Sequence, residues 1–117
     1  NSNLRMKQAT LDASIAQYNQ TVYQALSDAY QQLASHRESD VRLAQQQRIL
    51  NSQAKLASLA NARYKQGISP QMDALMTMSA ELRERDNLEA AYAARRTAEA
   101  KLAASLGTGF DELMGNH

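Results

Sequence analysis

Between its first residue and its last turn, this chain offers one place where a helix could stop and another start: Gly67-Ile68-Ser69-Pro70. It holds a single proline and four glycines in 117 residues, and the other three glycines lie at 107, 109 and 115. Gly67 can adopt the left-handed conformation that closes a helix C-terminus, and Lys65 places a cation on the turn before it. Ser69 is suited to cap a following helix, with Pro70 at its first position and Asp73 adding a negative charge to its first turn. A stop and a start so close together make the flanking helices antiparallel neighbours. The sequence therefore predicts an all-α, coiled-coil-like antiparallel α-helical hairpin, with a helix over about 3–66, a tip turn at 67–69 and a second helix over about 70–106.

The first arm carries Leu4, Leu11, Ile15, Tyr18, Val22, Leu26, Ala29 and Leu33 at steps of three, four or seven, a single helical face with polar flanks. The stripe lapses over residues 36–40 and resumes as Leu43, Leu50, Ala57 and Tyr64 at heptad spacing, with Ile49 and Leu56 beside it. A helix over residues 3–66 would be about 95 Å long at 1.5 Å per residue, a length typical of coiled coils. The alternative is a three-helix bundle in which the first arm folds back at a break near 36–40. The return arm carries Met72, Leu75, Met76, Met78, Leu82, Leu88, Tyr92, Leu102 and Leu106, with alanines between them. Gly107-Thr108-Gly109 is expected to end it, with one further turn over residues 110–114 and a frayed Gly115-Asn116-His117. Leu106 would then face Tyr30, leaving the start of the first arm overhanging by about 40 Å.

Composition narrows the function classes. There is no tryptophan and one phenylalanine, which is poor material for a compact core. Small side chains allow close backbone approach but bury little area each, so stability has to come from long seams. A net charge of +1 with mixed signs provides no electrostatic footprint for nucleic acid or anionic lipid. With no cysteine there is neither a disulfide framework nor a thiolate metal site. No apolar run approaches the roughly 20 residues that a helical membrane span requires. Zinc-type His/Glu spacing, nucleophile triads and glycine-rich phosphate loops are all missing, which predicts no enzyme, no cofactor and no metal. The chain starts without methionine inside a helical pattern, as a single helical-hairpin piece of a longer protein would.

Arg63, Tyr64, Gly67, Asp73 and the closing Leu106-Gly107, taken with the long Ala/Leu/Arg/Glu arm between them and the opening Asn3-Leu4-Arg5, resemble the outer membrane factors. These are TolC-like channel components of tripartite efflux pumps and type I secretion systems in Gram-negative bacteria. The likeness covers nearly the whole chain and is greatest to the drug-efflux branch that includes the NodT-like lipoproteins. It implies the periplasmic hairpin of the second structural repeat, without the barrel strands, in a parent that is a homotrimer. It also implies a periplasmic adaptor protein and an inner-membrane transporter as partners. Carried over position by position, Gly67, Ile68 and Ser69 fall in the adaptor-contacting tip, while Tyr64 and Asp73 fall on the gate. Ser69 and Met76 stand where some members carry an arginine and a second aspartate, so a salt bridge between those two positions is not implied here.

Each residue has a plainer role as well. Asp73 suits any helix start, Tyr64 ends a heptad seam, Met72, Met76 and Met78 read as core filling at the tip, and His36 reads as an exposed helix residue. A non-conducting coiled-coil interaction module, such as the adaptor hairpin itself, is the second functional reading. The unburied stripe at the start of the first arm predicts self-association of the isolated chain.

Overall fold

The computed structural model describes residues 1–115, which form two α-helices in an antiparallel hairpin: α1 is Ser2–Lys65 and α2 is Gln71–Met114. No strand occurs among the described residues. Helix α1 starts under a cap in which the Asn3 amide donates to Asn1 Oδ1 at 3.1 Å, and it runs without interruption through residues 36–40. The fold-back alternative is therefore not adopted, as expected where neither proline nor glycine weakens the helix. Contacts group the residues into two compact units, His36–Ala98 and a second made of residues 1–35 with those from 99 onward.

In the unit His36–Ala98 the two helices meet along a heptad seam. On α1 the covered positions include Ser39, Leu43, Gln46, Leu50, Gln53, Ala57 and Ala60, at alternating steps of three and four. On α2 they are Ala74, Thr77, Glu81, Glu84, Leu88, Ala91, Arg95 and Ala98, in the same alternation. This is knobs-into-holes spacing filled mostly by small or polar side chains. Ser39 behaves as a small residue because its hydroxyl donates back to the His36 carbonyl at 2.7 Å, and Thr77 does the same to the Asp73 and Ala74 carbonyls at 3.0 Å. Longer polar groups bridge the helices. Gln46 Nε2 donates to Glu84 Oε2 at 2.8 Å and Gln47 Nε2 to Tyr92 Oη at 3.1 Å, while Arg95 Nε lies 3.0 Å from Asp40 Oδ1. Such pairs fix the register of a seam whose apolar surface alone would specify it weakly.

The seam is not the stripe that the largest residues mark. Leu43 and Ala57 are buried as expected, but Ile49, Leu56 and Leu59 are about half exposed, and Tyr64 emerges before the tip. Met72, Met76 and Met78 are exposed as well, so they do not fill a core. His36, expected in solvent, takes a seam position with its side chain 19% exposed and Nδ1 3.6 Å from Asp40 Oδ2.

In the other unit the seam continues as Val22, Ala25, Ala29 and Gln32 on α1 against Leu102, Ser105 and Gly109 on α2. Ser105 donates its hydroxyl to Asp28 Oδ2. Here α2 departs from its expected end, since it passes through Gly107-Thr108-Gly109 as helix and finishes at Met114. The Gly115 amide closes its last turn on the Asp111 carbonyl at 2.7 Å. Asn116 and His117 of the expected frayed end lie outside the described residues. Glycine permits a stop but does not impose one, and a Cβ placed on Gly109 would meet the Ala25 Cβ at 3.5 Å, an ordinary contact distance that sets this turn against α1. The overhang is accordingly shorter than expected. Residues 1–20 are exposed throughout and coverage starts at Thr21, leaving about 30 Å of bare helix.

The helical state of Gly107 leads to a test. A methyl group on this residue would find nothing within 4 Å, so Gly107→Ala adds no clash and removes chain entropy from the unfolded state. The expected result is a stabilisation of about 0.5–1 kcal/mol in urea melts. A destabilised variant would mean that the helix does not persist through residue 107.

Candidate functional site

The tip is built by a helix stop that satisfies its own backbone. Gly67 has φ 76°, the left-handed value that favours glycine. The Ile68 amide donates to the Arg63 carbonyl at 2.8 Å and the Gly67 amide to the Tyr64 carbonyl at 2.9 Å, the paired bonds of a Schellman motif. Ser69 adds a longer bond to Arg63 at 3.4 Å. Helix α2 begins one residue later than expected, with the Pro70 carbonyl receiving the Asp73 amide at 3.2 Å. Pro70 thus stands just outside the first turn, with its fixed φ setting the entry to the helix.

This closure leaves Ile68 at the turn with 69% of its surface exposed, although a Schellman motif often folds that side chain back onto the helix it ends. The next residue, Ser69, is half-buried. Beside the turn, Leu56, Leu59, Ala60 and Arg63 of α1 and Ser69, Asp73, Met76 and Thr77 line an open groove of about 370 Å³. Its floor is apolar, and one cation and one anion, Arg63 and Asp73, lie on its walls.

Of the residues singled out from the sequence, Asp73 and Ser69 line this groove together. Tyr64 does not line it. It sits on the last turn of α1, 39% exposed, and Gly67 with Ile68 forms the turn. Sequence reasoning missed Leu56, Leu59, Arg63, Met76 and Thr77 as parts of one surface. The signal was available as Leu56, Leu59 and Arg63 at helical spacing, facing Asp73, Met76 and Thr77 at helical spacing. No group of His, Cys, Asp and Glu suited to hold a metal ion occurs among the described residues. No helix among them is long and apolar enough to cross a membrane.

A family model described as outer membrane efflux protein matches residues 1–108. No curated protein and no solved structure gives a match.

Proposed function

The chain belongs to the outer membrane efflux protein family, whose members are export channels, and from that premise we propose that it is the periplasmic hairpin of the second repeat of such a channel in a Gram-negative bacterium. The parent is a homotrimer working with a periplasmic adaptor protein and an inner-membrane transporter, in a tripartite efflux pump or a type I secretion system. The tip residues Gly67, Ile68 and Ser69 receive the adaptor. Asp73 and Tyr64 belong to the constriction.

The observation that carries this reading is the tip itself. A self-satisfied helix stop presents an exposed Ile68 next to an apolar groove, and protein contacts form readily at an exposed apolar anchor rimmed by polar groups. Asp73 is exposed on the first turn of α2, so three copies related by symmetry could form a ring of carboxylates that favours cations. The family match over residues 1–108 supports the channel side of the joint over the adaptor-hairpin alternative.

For the constriction, the test is Asp73→Asn in the parent trimer, recorded in planar bilayers. Loss of the charged ring is expected to reduce cation selectivity and block by divalent cations. Unchanged selectivity and block in a folded trimer would reduce Asp73 to an ordinary helix-start acid.

A further inference from the structure

The groove beside the tip has two unlike walls. Helix α1 gives it Leu56, Leu59 and Ala60, whereas the facing side is made of Ser69, Asp73, Met76 and Thr77. Three of those four carry polar side chains, so the apolar character of that wall rests on Met76 alone. The residue is 64% exposed, and no other side chain lining the groove is open to mild oxidation. The chain has no cysteine, which leaves thioethers as its only sulfur groups.

We propose that Met76 is a reversible oxidation site that controls docking at this groove, with a peroxide as the oxidant. The proposal rests on the reading of the tip as the surface that receives the adaptor. In the step, a lone pair of the Met76 sulfur attacks one oxygen of hydrogen peroxide. The S–O bond forms as the O–O bond breaks, and the departing oxygen takes the proton of the transferred hydroxyl and leaves as water. Sulfur gives up two electrons and the peroxide takes them, so no further reagent is required.

The product changes the wall from mixed to wholly polar. A sulfoxide oxygen is a strong acceptor, and an apolar anchor that covers it strips its water without replacing the hydrogen bonds. Leu56, Leu59 and Ala60 cannot compensate, since they belong to the opposite wall. Methionine sulfoxide reductases, one for each sulfoxide epimer, return the thioether and with it the apolar wall. Met72 and Met78 are also exposed, but neither lines the groove, so their oxidation leaves it unchanged.

The test is crosslinking of the parent channel to its adaptor, after the channel alone has been treated with hydrogen peroxide and the peroxide removed. Peptide mapping is expected to find the added oxygen on Met76, and docking should weaken by about tenfold. Sulfoxide reductases with a thiol reductant should restore it. Met76→Leu should dock normally before and after treatment, while a channel carrying Met72→Leu and Met78→Leu should stay as sensitive as wild type. Met76→Gln, which puts a polar amide on the wall, should weaken docking about tenfold without any oxidant. Met76 is exposed in the protomer, so both of its variants keep their helices, as circular dichroism would verify. An unmodified Met76, oxidised wild type that docks normally, or Met76→Leu that still loses docking on oxidation would each overturn the proposal. So would normal docking by Met76→Gln: if Leu56→Ala still weakens docking, only the oxidation site is lost, and if Leu56→Ala docks normally too, the groove itself has no part in docking.

Discussion

Gly67→Val is expected to uncouple the tip from its adaptor, and a graded series at this position shows why. A Cβ on Gly67 would find nothing within 4 Å, so the substitution creates no clash. The whole effect comes from the backbone, because a φ of 76° costs an L-residue about 1–2 kcal/mol and more when it is β-branched. The variant must either hold this strain or open the Schellman closure, which releases the amides of Gly67 and Ile68 from α1 and displaces Ile68. Efflux and adaptor crosslinking in the parent should therefore fall in the order valine, alanine, asparagine, with asparagine mildest because it tolerates the left-handed region. A stably expressed valine variant with normal crosslinking would remove the docking role from the turn. Equal losses for all three would point to the need for bare backbone at residue 67, not to strain.

That turn was legible from sequence because its determinants are local. The left-handed glycine, the proline after it and the acid in the first turn of α2 act within a few residues of one another, and the fold places them within one residue of expectation. The seam was less legible. Its heptad frame was visible at Leu43, Leu50 and Ala57, but the largest side chains, such as Leu26 and Tyr30, lie off it and are exposed. Hydrophobicity marks where water is avoided, whereas helix contact here depends on which positions are small enough for close approach. Ala25, Ala57, Ala74, Ala98 and Gly109 meet that condition and carry little hydropathic signal.

The end of α2 was misjudged for a related reason. Glycines at 107 and 109 permit a stop without imposing one, and Gly109 lies against Ala25, a neighbour more than 80 residues away in sequence and invisible to a local reading. The groove escaped notice because its two walls come from opposite sides of the turn. Arg63 and Asp73 were each read for their place along a helix, as motif residue and first-turn acid, and only the closure of the hairpin puts them on one surface.

Two leucines thirteen residues apart on α1 should separate stability from docking. Leu43 is 6% exposed in the seam, and Leu56 is 53% exposed on the groove wall. Leu43→Ala removes a side chain that seam neighbours enclose and is expected to cost about 2–3 kcal/mol, lowering the melting temperature of the isolated chain by roughly 10 °C. Leu56→Ala leaves no enclosed cavity and should stay within about 0.5 kcal/mol of wild type. In the parent channel the order should reverse at the level of assembly. Leu56→Ala strips part of the apolar lining of the groove and should reduce adaptor crosslinking, while Leu43→Ala leaves the crosslinking of whatever channel still folds unchanged. Equal melting effects would mean that the seam is not where the burial pattern puts it. Normal crosslinking by Leu56→Ala at wild-type stability would confine the docking surface to the turn and exclude the groove.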